Sequence, residues 1–424
     1  MSKAAVLTLA VLLALVLAAS APLVRAQPAL ATDPHVAAML ARVDPAALYQ
    51  AVGDLSGEWP ATIGGEPYTI RTRHTTSSEG LLKATQYAGE RLEALGLEVE
   101  YHTWAAGTPP NVIGELPGAG GAEEAIILCG HLDDMPAGPE APGADDNASG
   151  SAAVLAAAAI LSEYTWTCDL RFALWTGEEQ GLLGSRAYAA RARSSDDQIL
   201  AVVNLDMIAY NSATFPAPAM DLHADSTLPE TVDLAHLFDG VVDAYGLALE
   251  PEVLVDDTLR TRSDSWAFVE QDYPAILAIE DYDDFSPYYH TVADRLSTLD
   301  LAYYAEFVRA VIATVAHAGC FPRGGLMGHV YDASTEAAIP GAAVTLEDSL
   351  GITYAVSSDG TGAYALEAMA GVYTATVSPP GYLPGLLGGV VVPTDTIGIQ
   401  DLALTPIGPL DWRIYLPFVG HSGG

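Results

Sequence analysis

Hydrophobic positions along the chain fall into two alternating patterns. Short, mostly apolar runs at Ala125–Gly130, Leu170–Thr176, Ile199–Leu205 and Ala275–Glu280 read as strands buried on both faces. Between them lie longer stretches with helical spacing at Asn147–Glu163, Gly181–Arg193, Leu228–Tyr245, Ser263–Glu270 and Thr298–Ala318. Upstream, a helix opens near Thr75–Ser78, carries Leu81, Tyr87 and Leu92 on one face, and ends at Gly96. Leu97–Trp104 and Asn111–Leu116 alternate as strands, the second closed by Pro117-Gly118. Asp33-Pro34 with Val36, Met39, Leu40 and Val43 predicts a short amphipathic helix, and Pro60–Glu66 reads as loop. This alternation predicts an α/β fold: a mainly parallel twisted sheet with helices on both faces.

The pattern changes after Cys320. Short β-type runs at 326–331, 343–347, 353–357, 363–368, 373–378 and 397–404 are separated by turn signals such as Asp359-Gly360 and Pro379-Pro380-Gly381. They predict a small C-terminal β-sandwich. The expected organisation is a signal peptide at 1–26, an N-terminal extension at 27–74, an α/β domain at 75–322, the sandwich at 323–406 and a tail at 407–424. Lys3, the apolar run Ala4–Ala19 and Val24-Arg25-Ala26 carry the secretory reading, with cleavage after Ala26. An uncleaved membrane anchor is the alternative. No other apolar run approaches the ~18–20 residues of a spanning helix, so the expected location is secreted, extracellular or at the cell surface. Trp412, Tyr415 and Phe418 in the tail suggest docking on the sandwich or surface retention.

Composition narrows the partners. The 424 residues exceed a single core, and 54 acids against 17 bases give a net charge of −37. Such a field repels nucleic acid and anionic membrane and favours a cationic group such as a protonated amine. A solvated acidic surface that aids solubility is the plainer explanation of the charge as a whole. Of the three cysteines, Cys168 precedes a strand and Cys320 follows the last helix, both at the edge opposite the strands' carboxyl ends. We expect these two to pair, leaving Cys129 a buried thiol.

The candidate chemistry collects at strand ends. His131 and Asp133 close the 125–130 strand, Asp145-Asp146 open the next helix, Glu178-Glu179 follow the 170–176 strand, Asp206 ends the 199–205 strand, and His290 lies beyond 275–280. Ligands of open α/β sheets gather at that edge. Singly, each residue has a plain reading: a helix cap, an exposed pair, a turn acid or a structural histidine. A carboxylate ending the run Val202–Leu205 is costly without a partner. Together the set is a metal-ligand constellation of His and carboxylate donors.

The segments GHLDD, GADDNASG, TGEEQGLLGS, NLDM and YYHTVAD stand in order and resemble the motif series of the co-catalytic di-zinc aminopeptidases that include bacterial leucyl aminopeptidases. The similarity runs from about Thr75 to Gly319. It implies two Zn2+ ions, with His131 and Asp206 on one, Glu179 and His290 on the other, and Asp145 bridging. Asp146 is then left to capping or support. Glu178 is implied as general acid/base acting on a water between the zincs, and Asp133 as the carboxylate orienting His131. The implied activity is hydrolysis of the N-terminal peptide bond of a peptide or protein with a free N-terminus. One departure stands at Ser263-Asp264-Ser265, where many relatives carry a histidine at the third position. The C-terminal segment resembles the transthyretin-type, regulatory-like domain appended to carboxypeptidases. Alternatives are a carboxypeptidase or dipeptidase on the same scaffold, a mono-zinc glutaminyl cyclase, and a non-catalytic peptide-binding homologue. Met207, Ile208, Tyr210, Phe285 and Tyr288 are candidate lining residues, with core packing as the plainer reading. Histidines outside the motifs, at 35, 74, 102, 223, 236, 317, 329 and 421, read as structural or surface.

Overall fold

A computed structural model describes residues 30–121, 124–212 and 218–408. The expected signal peptide and residues 409–424 of the tail lie outside them. Two helices precede the main domain, α1 (Pro34–Leu40) and α2 (Pro45–Ser56). Each starts with proline behind an aspartate whose side chain accepts a helix N–H, Asp33 from His35 and Asp44 from Ala46. The second helix is absent from the sequence reading, although Asp44-Pro45 carries the same start signal as Asp33-Pro34. The loop expected at 60–66 is a small antiparallel hairpin of β1 (Ala61–Ile63) and β2 (Glu66–Tyr68).

The main sheet is built from β3 (Glu98–His102), β4 (Asn111–Leu116), β5 (Glu124–His131), β6 (Asp169–Trp175), β7 (Gln198–Asp206), β8 (Ala219–Ala224), β9 (Glu250–Val255) and β10 (Ala275–Glu280). Its order is β3-β4-β6-β5-β7-β10-β8-β9. The central block β6-β5-β7-β10 is parallel, and β4 and β8 join it antiparallel on either side. Helices α3 (Ser78–Ala94), α4 (Gly150–Leu161), α5 (Leu183–Ser194), α6 (Pro229–Tyr245), the short α7 (Ser265–Val269) and α8 (Leu301–His317) accompany the sheet. Strands β8 and β9 are missing from the sequence reading. In β8, Asp221 and His223 interrupt the apolar residues, yet the strand is buried from Met220 to Ala224 because β10 and β9 flank it.

Cys168, before β6, is disulfide-bonded to Cys320, after α8, and Cys129 is a buried free thiol, as the sequence predicts. The C-terminal sandwich pairs β11 (Arg323–Asp332), β14 (Ala363–Met369), β17 (Ile397–Ile399) and β18 (Leu402–Leu404) against a second sheet of β12 (Ala343–Glu347), β13 (Thr353–Ser357), β15 (Gly371–Val377) and β16 (Gly385–Val392). Strand β16, glycine-rich and bulged against β15, escaped the sequence reading. The sandwich meets the N-terminal helix through buried His35, whose ring nitrogens lie 2.8 Å from Tyr354 Oη and from Asp348 Oδ2. Among the described residues, no helix is long and apolar enough to cross a membrane.

Candidate metal centre

Four neighbouring parallel strands deliver the site. Glu178 and Glu179 follow β6, His131 ends β5, Asp206 ends β7, and His290 lies in the loop after β10. His131 Nε2 stands 3.2 Å from Asp206 Oδ1 and 3.3 Å from Asp146 Oδ1. His290 Nε2 stands 3.1 Å from Asp146 Oδ2 and 2.9 Å from Glu179 Oε2. Two donor groups result, His131–Asp146–Asp206 and Asp146–Glu179–His290, each with ligand atoms within 4.8 Å of one another. Asp146 belongs to both, one oxygen facing each histidine.

This corrects the bridge expected at Asp145. The Asp145 carboxylate accepts the Ala209 N–H at 2.9 Å and faces Glu280 rather than the histidines. The turn 144–149 decides between the neighbours. Asp294 accepts the N–H groups of both Asp145 (2.9 Å) and Asp146 (3.0 Å), so the backbone is pinned where one side chain points inward and the other away. Asp146 and Asn147 have non-helical dihedrals there, so the helix expected from Asn147 begins at Gly150. Gly143 enters this turn at φ 47°, where an added Cβ would lie 2.4 Å from Asp146 O.

The role expected of Asp133 is also corrected. Its carboxylate is 3.9 Å from His131 Nδ1, and its backbone oxygen, at 3.1 Å, is the partner of that nitrogen. The carboxylate instead accepts the N–H groups of Glu178 (3.2 Å) and Glu179 (3.3 Å) and the Thr75 hydroxyl (2.8 Å). Asp133 therefore fixes the peptide that presents the glutamate pair.

Sequence reasoning missed Arg73. It is fully buried, donates to the carbonyls of Leu55, Leu132, Pro142 and Gly143, and lies 3.4 Å from Asp134. It thus clamps both ends of the loop joining His131 to Asp146. The sequence carried no signal for it, since Arg73 stands in the polar run Arg71–Thr76. Asp264 is buried with Ser185 hydrogen-bonded to it, and Ser265, at the position of the departure, is buried beside it.

The centre is short of positive charge. Burial disfavours charge on His131, but Asp206 and Glu178 outweigh it and raise its pKa well above the ordinary value. His290 is likewise raised to about 10, as hydrogen bonds to Asp146 and Glu179 overcome burial. Burial lifts Glu179 to about 8 and Glu178 well above the usual carboxylate range. Asp146 is held low: burial opposes its charge, and the two histidines prevail. Imidazole nitrogen with two carboxylate oxygens on each side is a donor set that suits a divalent cation of zinc's type. Beside it, Tyr289 stacks on His290 at 3.7 Å between ring centroids, and Phe285 and Tyr282 continue the aromatic row. Met207 and Ile208 are buried in the core, whereas Tyr210, Phe285 and Tyr288 are partly exposed.

The sequence model of peptidase family M28 matches residues 111–315. The match takes in β4 to β10 and most of α8, the elements that carry the five donor residues. The model of the carboxypeptidase regulatory-like domain matches residues 325–405. Leucine aminopeptidase 2 of Trichophyton rubrum is 31% identical over 235 residues, covering 52% of this chain and 43% of the relative. A probable leucine aminopeptidase of Trichophyton verrucosum is 28% identical over 221 residues, 49% of this chain and 57% of the relative. The chain thus spans about half the length of these curated relatives. The structure of the Legionella pneumophila LapA aminopeptidase superposes with a TM-score of 0.56 at 20% identity, over 69% of this chain and 77% of that one. A glutaminyl cyclase of Bacteroides thetaiotaomicron reaches 0.51 at 18% identity, over 65% and 98%. These likenesses carry the fold of the α/β domain. Its chemistry rests on the side chains gathered at the site.

Proposed function

We propose that the chain is a secreted metallo-aminopeptidase that hydrolyses the N-terminal peptide bond of peptides or proteins. The observation that carries this reading is Asp146 standing between His131–Asp206 and Glu179–His290, with Glu178 beside them. Two zinc ions held by these five residues would supply Lewis-acid polarisation of the scissile carbonyl and acidify a water for attack.

The chain's own groups do the rest. Glu179 is committed to His290 and the metal side, so its neighbour Glu178 is left free to move protons. Burial raises the proton affinity of Glu178, which suits a group that takes a proton from the attacking water and returns it to the leaving amine. Asp133 holds both glutamates by their backbone N–H groups, so the division of labour does not depend on side-chain sorting. The surplus of carboxylates favours a substrate that brings its own cation, as a free α-amine does. The regulatory-like domain and the tail are proposed as accessory elements, with surface association as their further role.

Incubation of the zinc-loaded protein with aminoacyl and N-acylated chromogenic peptides tests this. Cleavage of the aminoacyl substrates alone is expected. Cleavage of blocked substrates alone would assign the site to another exopeptidase, and cleavage of neither would favour a binding protein. Glu178→Gln should keep its metal content and lose about 10²–10⁴-fold in kcat, the range of a general acid/base. Near-native turnover in that variant would remove Glu178 from the mechanism.

A further inference from the structure

Behind the aromatic row lies a buried histidine that the metal centre does not use. His223, in β8, is fully buried, and neither ring nitrogen has a hydrogen-bond partner. Asp221 Oδ2 lies 4.0 Å from its Nε2 and Asp257 Oδ1 3.5 Å from its Nδ1. Both carboxylates hold other groups. Asp221 Oδ2 accepts the Tyr282 N–H at 3.1 Å, and Asp257 Oδ1 accepts the Leu259 N–H at 2.6 Å.

The register places this group under the row. Asp221 and His223 share one face of β8, opposite Ile279 and Leu277 of β10. Those two residues and Met207 form the small core on which Tyr282 and Phe285 pack. His223 meets the Tyr282 ring edge-on at 6.1 Å, Tyr282 stacks on Phe285 at 4.9 Å, and Phe285 meets Tyr289 at 5.1 Å. Tyr289 stacks in turn on His290. The row is thus tied at one end to the metal centre and at the other to Asp221.

We propose that Asp221 and His223 are positioning residues forming a proton switch that sets the aromatic row and, through it, the preference for a bulky apolar N-terminal residue. The proposal rests on the aminopeptidase reading for the identity of the substrate, but not for the switch itself. At alkaline pH the Asp221 carboxylate is an acceptor only, and it holds the Tyr282 N–H. A proton taken from solvent makes it a donor, and the free acceptor within reach is His223 Nε2. The carboxyl then turns from Tyr282 to His223, releasing the first residue of the row. Burial supports this order of events. It lifts Asp221 to about 7, helped by Asp281, Glu252 and Asp283 and opposed by the Tyr282 N–H, while it lowers His223 against the pull of Asp257. The arriving proton therefore goes to the carboxyl. Asp206, Arg262 and Asp257 act, with Asp221, on the Tyr282 hydroxyl.

The test uses the full, zinc-loaded chain and the ratio of kcat/KM for leucine and alanine p-nitroanilides between pH 6 and pH 8.5. Ionisations common to both substrates cancel in this ratio. The ratio should fall by about threefold or more toward pH 6, a change within the discrimination of an apolar pocket. Asp221→Asn and His223→Leu should each flatten it, acting on KM rather than kcat. Hydrogen exchange at the Tyr282 amide, corrected for intrinsic rate, should lose protection toward pH 6 in the unaltered chain only. A pH-independent ratio in the unaltered chain overturns the switch, as does unchanged Tyr282 protection. If neither anilide is cleaved, the aminopeptidase reading fails, and the exchange measurement still decides the switch.

Discussion

Asp146 offers one carboxylate oxygen to each histidine, and that division fixes what its loss should do. Asp146→Ala removes a donor from both groups, so metal content measured by atomic absorption should fall to one ion per chain or fewer. Asp145→Asn should keep the content of the unaltered chain, because its carboxylate serves Ala209 and the Glu280 side. The reverse pattern would restore Asp145 as the bridge. Residue types and chain positions of the centre were legible in the motifs: His131, Glu179, Asp206 and His290 converge as their strand ends predict. The choice between Asp145 and Asp146 was not, since adjacent side chains point in different directions and only the backbone trajectory pinned by Asp294 selects one.

At the level of elements, the loop from Leu132 to Gly143 has no regular structure, yet it must hold His131 and Asp146 in register. Arg73 supplies the order by satisfying carbonyls at both of its ends. Arg73→Met should strand Asp134 as a buried charge and cost about 3–5 kcal/mol, read from the urea midpoint. A loss under about 1 kcal/mol would show that the clamp is dispensable, since that is the level of a surface pair. Metal affinity should fall with stability in this variant, because the same loop carries both. Apolar strands and long helices were readable because their side-chain period reports burial directly. Strands β8, β9 and β16 were not, because their burial comes from neighbouring strands and, in β8, from accommodated polar groups such as Asp221 and His223.

Across the whole molecule, the Cys168–Cys320 bond closes 152 residues and ties the start of β6 to the end of α8. A loop of that length carries a large closure entropy in the unfolded chain. Replacing both cysteines by serine should therefore lower stability by about 2–5 kcal/mol, seen as a fall in Tm. The centre lies at the opposite edge of the sheet, so kcat at 25 °C should be unchanged in that variant. A drop in kcat without a drop in Tm would contradict this separation.

The sequence by itself determined the α/β class, the appended sandwich, the disulfide pair and the identity of the residues that reach the carboxyl edge. Each of these follows from local period or from order along the chain, which a linear code carries. Tertiary structure alone decided which aspartate stands between the histidines, and that the Asp133 carboxylate holds the glutamates' peptide rather than His131. It also decided that Arg73 is the clamp and that the sheet is antiparallel on both sides of its parallel block. These depend on where distant backbone groups present unmatched N–H and C=O partners, which is a property of the packed chain.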